Sequence, residues 1–287
     1  MIANNSSTRM PLGPINVSWM ITNRCNYNCQ FCFGCYKDEE LGYDEACKIV
    51  DELVEAGLKK ISFAGGEPLL WPEMLRLIEY LKSKSVKTML ISNGELITAK
   101  HIEEFKKNLD WLNLPLEGSN PQMNRAMTRK KGHFGRVVDI AEKLRGSDVK
   151  LKINTVATKI NIDNIPEMVS IIRQLGVKRW KIFQFYPVRG RSVVNKDLFS
   201  LDSSRFEQVR REVMNLMRDD KIMVVFENNK ELEDSYFSIS PSGLAYVSKD
   251  GKDVILGDLM NEEVEKIWKN DALDKTKYLE RSRWFLK

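Results

Sequence analysis

The stretch Cys25-Asn26-Tyr27-Asn28-Cys29-Gln30-Phe31-Cys32 sets three thiols in the spacing C-x-x-x-C-x-x-C. Thiols this dense can wrap one metal centre, and thiolate ligands suit zinc or an iron–sulfur cluster. Structural zinc takes four ligands, typically a C-x-x-C pair with a distant second pair. Cys35 follows Cys32 by another x-x, so Cys25, Cys29, Cys32 and Cys35 can be read as a four-thiolate zinc knuckle. Some of these cysteines can also be read as small buried apolar residues. Three close cysteines with an aromatic, Phe31, just before the third fit another chemistry better. They would hold three irons of a four-iron, four-sulfur cluster and leave the fourth iron open.

Outward from this loop the chain alternates strand and helix. Asn16 to Thr22 reads as a strand, with Val17, Trp19 and Ile21 alternating, and it ends at the cysteine loop, Asn23 to Tyr36. Tyr43 to Ala56 has helical periodicity stopped by Gly57. Cys47 lies on it, beside the apolar stripe, and reads as structural. Lys60 to Phe63 is a short strand, and a helix opened by Pro72 follows. Thr88 to Ser92 is a strand and Thr98 to Leu109 a helix. Trp111 to Leu116 is a strand, followed by a polar loop and a helix over Phe134 to Leu144. Lys150 to Val156 is a strand, Asp163 to Leu175 a helix, and Arg179 to Phe185 a sixth strand. Six such units predict an α/β fold, a parallel sheet curled into a partial barrel. A closed eight-fold barrel would need about 250 residues of repeats, and the pattern stops near residue 187.

The expected division is a disordered lead-in over 1–14, the barrel over 15–187 and a C-terminal extension over 188–287 that covers the site. In the extension, a helix over Ser203 to Arg218 precedes short strands near Ile222 to Phe226, Ser235 to Ile239 and Leu244 to Val247. A last helix, Asn261 to Trp268, leads to a charged tail. With 287 residues, 30% charged and 43% hydrophobic, the chain has the composition of a soluble globular protein. No apolar run approaches a membrane span, and no signal peptide is read at the start. Five cysteines, three of them clustered, speak against a disulfide framework and for a reducing cytoplasm. A net charge of +5 permits an anionic small molecule without the dense basic stripe of a nucleic-acid binder.

Two further motifs carry chemistry. Gly65-Gly66-Glu67-Pro68 follows a strand at the expected working rim, where two glycines let the backbone approach a ligand and a carboxylate can accept from an ammonium group. Lys152 and Asn154 are i and i+2 on one strand, and Arg179 and Lys181 are i and i+2 on the next. Leu151, Ile153, Trp180 and Ile182 take the opposite faces. Helices must cover the outer, apolar face, so the four polar side chains point inward. Buried cations this close need an anion: either a bound polyphosphate or partner carboxylates such as Glu117 or Glu227. Their number against the scattered acids favours the polyphosphate.

The cysteine spacing with Phe31, followed one strand later by Gly65-Gly66-Glu67-Pro68, resembles the signature of the radical S-adenosylmethionine (SAM) enzymes. The resemblance implies that Cys25, Cys29 and Cys32 ligate the cluster and that the amino and carboxylate groups of SAM bind the open iron. It places Phe31, Gly65, Gly66, Glu67, Ser92, Asn93 and Ser119 around SAM. Arg129 falls roughly where the family has an arginine for the SAM carboxylate, with Arg125 a competing position.

Lys152-Ile153-Asn154-Thr155-Val156, Arg179-Trp180-Lys181-Ile182-Phe183-Gln184 and Asp234-Ser235-Tyr236 look like the viperin family. That similarity runs, with gaps, from about Val17 to Tyr246. It implies a 5′-deoxyadenosyl radical that dehydrates a ribonucleoside triphosphate, CTP or another, to its 3′-deoxy-3′,4′-didehydro form, which serves antiviral defence. By position, Lys152, Arg179 and Lys181 would take the triphosphate, Asn154 a neighbouring contact, and Tyr236 the hydrogen-donor role. An electron donor such as flavodoxin or ferredoxin is implied, with no nucleic acid and no membrane. The chain departs from the family in lacking a membrane-anchoring amphipathic helix at its start. It also carries Ser18 where a substrate-contacting asparagine is usual, and differs over Pro115 to Ser119. Other readings stay open: a radical SAM enzyme acting on a sugar, peptide or tRNA, or a non-enzymatic zinc or iron–sulfur protein.

Overall fold

A computed structural model describes residues 11–34 and 39–285. Cys35, Tyr36 and residues 1–10 of the expected lead-in therefore lie outside the described residues. Of the lead-in's last four residues, Gly13 and Pro14 are buried, and the Pro11 carbonyl accepts from Trp268 Nε1 at 2.9 Å.

The alternating stretches become β1 (Asn16–Thr22), β2 (Lys60–Gly65), β3 (Lys87–Ile91), β4 (Trp111–Pro115), β5 (Lys150–Ala157) and β6 (Arg179–Gln184). The helices between them are α1 (Tyr43–Glu55), α2 (Met74–Ser83), α3 (Ala99–Asn108), α4 (Pro121–Ala126), α5 (His133–Leu144) and α6 (Met168–Gln174). Helix α4 falls in the stretch expected to be a polar loop. Its signal is local, because Asn120 caps it by accepting from Met123 N and Pro121 occupies its first turn. The rest comprises α7 (Gly190–Val194), α8 (Lys196–Phe199), α9 (Ser203–Leu216), β7 (Met223–Glu227), α10 (Asn229–Leu232), β8 (Ser238–Ile239), β9 (Leu244–Lys249), β10 (Lys252–Asp258), α11 (Val264–Trp268) and α12 (Lys275–Ser282).

All ten strands share one sheet in the order β10-β9-β8-β1-β2-β3-β4-β5-β6-β7. From β8 to β7 every pairing is parallel, and β9 and β10 continue antiparallel beyond β8. The two edges do not pair, so the barrel is partial, as the six-fold alternation predicted. The parallel set nevertheless extends past β6, because β7 pairs with it after the long excursion through α7, α8 and α9. That excursion hides the seventh repeat from a periodicity reading. Strand β10 and helix α12 were not foreseen either. In β10, Val254 and Ile255 are both exposed at the sheet edge, which removes the alternation. In α12 the polar sequence conceals one anchor: buried Tyr278 donates its hydroxyl to the Asn16 carbonyl at 2.8 Å and accepts from Asn16 N.

The sheet's two faces sort the side chains. Ile61, Phe63, Leu112, Leu114, Ile153, Trp180 and Ile182 are fully buried in the apolar layer shared with the helices. The alternate positions turn to the barrel interior, as the period of two requires. There they line a cavity of about 400 Å³.

Candidate active site

The rim of this cavity is built by the join between β1 and β2. Gly66 N donates to the Thr22 carbonyl and Glu67 N to the Arg24 carbonyl, each at 2.8 Å. A Cβ on Gly65 would lie 2.4 Å from Thr22 O, and one on Gly66 2.1 Å from Arg24 O. Only glycine permits that approach, which seats the root of the cysteine loop against the end of β2.

Each of the three loop thiols has a nitrogen donor: Tyr27 N to Cys25 Sγ at 3.4 Å, Arg129 Nη1 to Cys29 Sγ at 3.3 Å and Gly34 N to Cys32 Sγ at 3.3 Å. Cys25 is exposed, Cys29 buried and Cys32 between the two. Burial raises the thiols of Cys25 and Cys29, and Arg129 works against it. Three soft donors with N–H groups aimed at their sulfurs fit an iron–sulfur cluster, whose thiolates accept such bonds. Among the described residues no three His, Cys, Asp or Glu side chains converge tightly on one ion. A cluster asks less of them, because each thiolate binds a different iron. Cys47 sits apart on α1.

Phe31, Gly65, Gly66, Ser92, Asn93 and Arg129 line the cavity. The Arg129 guanidinium lies 5.1 Å from the centre of the Phe31 ring and 2.6 Å from Glu117 Oε1, with both partners buried. Burial works against its charge, but Cys29 and Glu117 outweigh this and hold it protonated. Arg125 is exposed on α4 and does not line the cavity. Two other residues of the expected SAM set also lie outside its wall. The buried Glu67 carboxylate accepts from Ser92 Oγ at 2.8 Å, Asn93 N at 2.7 Å and Leu69 N at 3.2 Å, so it braces the ends of β2 and β3. Ser119 turns its hydroxyl to Asn164 and Glu167.

Deeper in the barrel, Lys152, Asn154, Arg179 and Lys181 all face the cavity, joined by Lys60 on β2, Asn113 on β4 and Arg281 of α12. Lys60, with Ile61 and Phe63 turned outward, obeys the alternation that marks Lys152 and Asn154, so the sequence carried its signal. Nothing in the sequence marked Arg281. Among the described residues one floor carboxylate, Glu227, faces these five cations. It lies 2.5 Å from Lys181 and also contacts Arg281. Burial disfavours its charge, but the two cations prevail and hold it down to about 2. The sequence favoured a polyphosphate over partner carboxylates such as Glu117 or Glu227, and the structure divides the cations between the two. Lys181 and Arg281 share Glu227, whereas among the described residues Lys60, Lys152 and Arg179 form no ion pair, and Lys60 Nζ donates to Ser62 Oγ at 2.7 Å.

Burial, with the Arg179 and Lys181 charges adding to it, pushes Lys60 down to about 7. Lys152 is driven well below the usual lysine range by burial and then by Lys181, Arg179 and Lys60. Arg179 stacks 3.9 Å from the Trp284 ring. The Arg179 Nε, the Asn154 Oδ1 and both polar atoms of the Asn113 amide are buried without a hydrogen-bond partner among the described residues. Such orphans on a cavity wall are groups suited to a polar ligand.

Tyr236 stands at the edge of this floor. Its hydroxyl donates to Glu227 Oε2 at 2.9 Å and accepts from Arg281 Nη1 at 2.6 Å and from Lys181 Nζ. Burial pushes the phenol well above its usual range, with Arg281 pulling the other way, so it keeps its hydrogen near neutral pH.

A barrel open at one side, with a three-thiol loop at the rim and a cationic floor, is the frame in which comparisons with known proteins fall. The profile of the radical SAM superfamily matches residues 19–172, and the chain belongs to that superfamily. Among its relatives is the "S-adenosylmethionine-dependent nucleotide dehydratase" of Lacinutrix mariniflava, 28% identical over 97% of this chain and 59% of that protein. The chain thus spans less than two thirds of that relative's length. A protein of the same name from Flammeovirga pacifica is 26% identical over 93% of each chain. Streptococcus suis SuiB, crystallised with S-adenosylmethionine, superposes with a TM-score of 0.72 over 93% of this chain and 68% of its own. At 16% identity, that likeness speaks for the fold.

Proposed function

We propose that this chain is a viperin-like radical SAM dehydratase that converts a ribonucleoside triphosphate to its 3′-deoxy-3′,4′-didehydro form, with antiviral defence as the use of that product. The observation that carries this reading is the cavity floor, where among the described residues Lys60, Lys152 and Arg179 form no ion pair and Asn113 and Asn154 keep unpartnered amide atoms. A polyphosphate supplies the missing charge, and charge-assisted contacts are the strong ones. The names of the bacterial relatives support the same substrate class.

In this reading Cys25, Cys29 and Cys32 hold a four-iron cluster, and Phe31, Gly65, Gly66, Ser92, Asn93 and Arg129 surround SAM, with Glu67 fixing the turn. Cluster and SAM, when bound, supply the 5′-deoxyadenosyl radical that takes the ribose C4′ hydrogen. The chain's own groups do the rest. The cations fix the triphosphate, and the apolar wall excludes water from the ribose. Loss of the 3′-hydroxyl as water requires one further electron and one proton, and the Tyr236 phenol can deliver both as a hydrogen atom. An external one-electron donor in a reducing compartment completes the cycle. Among the described residues no helix is long and apolar enough to cross a membrane.

The test is an anaerobic assay of SAM cleavage with the four ribonucleoside triphosphates and their nucleosides. A triphosphate should stimulate 5′-deoxyadenosine formation far more than its nucleoside does. Equal stimulation by the nucleoside would refute the polyphosphate assignment.

A further inference from the structure

Asn113 is the one wall residue whose whole side-chain amide is idle among the described residues. It is fully buried on β4 and lines the cavity, yet neither Nδ2 nor Oδ1 has a hydrogen-bond partner there. Its backbone is spent on the sheet, where the carbonyl accepts from Ser92 N at 3.1 Å. Strand pairing therefore fixes where the side chain stands and leaves the amide for something else. A buried amide kept without partners costs stability and returns none to the fold.

A polyphosphate does not account for both atoms. Ionised phosphate oxygens accept hydrogen bonds and donate none, so they can serve Nδ2 but would face Oδ1 with like charge. Lys152, the register neighbour on β5, makes no bond to that oxygen. On the other side the register neighbour is Ile91, and the wall of β3 and β4 continues with Met89 and Pro115. Asn113 thus stands where the cationic sector of β5, β6 and α12 meets an uncharged one. Apolar walls with one well-placed polar group suit a flat heterocycle, which presents its faces to the former and its edge to the latter.

The two asparagines of the wall differ in what they leave open. Asn154 has only its Oδ1 buried and unpartnered, and a single ribose hydroxyl can satisfy that by donating. Asn113 offers a donor and an acceptor side by side, both unused. One hydroxyl meets one of them, whereas the edge of a nucleobase, with an N–H beside a carbonyl or ring nitrogen, meets both at once.

We propose that Asn113 reads the base of the nucleotide: its amide donates to and accepts from one edge of the ring, while the cations of β5, β6 and α12 hold the phosphates. The inference deepens the reading of this cavity as a nucleoside triphosphate site and rests on it.

The test is titration calorimetry on the anaerobically reconstituted, SAM-saturated full chain. The probes are the four ribonucleoside triphosphates, ribose 5-triphosphate and inorganic tripolyphosphate. The parent protein should rank the four bases, the preferred one binding about tenfold or more above the poorest, as a bidentate contact provides. Asn113→Leu keeps the shape and removes both polar atoms. It should bring the four triphosphates to within about threefold of one another, leave tripolyphosphate affinity unchanged and melt no lower than the parent. Asn113→Ala, which cannot overpack the wall, should lose the ranking in the same way. Asn154→Leu should weaken all four triphosphates alike and keep their order.

Asn113 variants that retain the parental ranking would overturn the inference, as would an equal loss for all four triphosphates and for tripolyphosphate, which would make the amide a phosphate contact. A parent protein that binds all four triphosphates equally would overturn it too. If neither the triphosphates nor tripolyphosphate bind the parent protein, the triphosphate reading itself falls, and that outcome is told apart by the silence of the phosphate probe.

Discussion

Replacing Lys152 by Met separates a ligand-binding cation from a structural one by sign. Lys152 is 7% exposed on β5, in register with Arg179 on one side and Asn113 on the other. Among the described residues its ammonium has no ion-pair or hydrogen-bond partner, and three neighbouring cations add to the burial penalty, with Glu227 pulling the other way from a distance. Methionine fills a similar volume with no charge to desolvate. Replacing buried ionic groups by apolar ones of like shape stabilises by about 1–4 kcal/mol in favourable cases. Here the lysine is already partly relieved by giving up its proton, so the lower end applies. A gain of about 1–2 kcal/mol raises the melting temperature of a chain this size by roughly 2–4 °C. Triphosphate binding should move the opposite way. Loss of a charge-assisted contact worth about 1.5–3 kcal/mol weakens it roughly ten- to 150-fold. Scanning calorimetry and titration calorimetry with CTP, on the same preparation, read both quantities. A Lys152→Met protein that melts lower and binds triphosphate as before would refute the reasoning, since the lysine would then be a packing element.

Three further outcomes are expected. Lys60, held at about 7 in the free protein, is mostly neutral at pH 8.5. A bound polyphosphate raises its pKa, so binding takes up close to one proton there, and affinity falls as pH rises from 7 to 9. Titrations in buffers of different ionisation enthalpy measure this uptake, and none at pH 8.5 excludes Lys60 from the contact. Tyr236→Phe keeps the ring and removes the hydroxyl that bonds Glu227, Arg281 and Lys181. Nucleotide binding and 5′-deoxyadenosine formation should survive while product falls well below one equivalent; a parental ratio would take Tyr236 out of the reaction. Cys25→Ala, Cys29→Ala or Cys32→Ala should each abolish iron uptake, whereas Cys35→Ala and Cys47→Ala should leave it intact. Iron analysis after reconstitution decides, and loss in Cys35→Ala alone would restore a four-thiolate site.

Much of this molecule is written in local pattern. The alternation of Val17, Trp19 and Ile21, repeated strand by strand, determined a parallel α/β barrel, because a strand's side chains have a period of two and one face must meet helices. The same rule turned Lys152, Asn154, Arg179 and Lys181 inward without any structure, and it applies equally to Lys60 and Asn113. The thiol spacing is likewise local, since three ligands within one loop need no long-range partner. Tertiary structure decided what depends on which distant groups meet. Whether Glu67 faces a ligand or braces two strands turns on the ends of β2 and β3 lying side by side, 2.7–2.8 Å from Asn93 N and Ser92 Oγ. That Lys181 pairs with a carboxylate while Lys152, among the described residues, pairs with none follows from β7 lying beside β6 across a long excursion. Arg281, fifty-four residues from Glu227 in sequence, reaches it because α12 is anchored under β1 by Tyr278. No window of sequence contains these meetings, because chain closure over such separations is decided by the packing of the whole sheet.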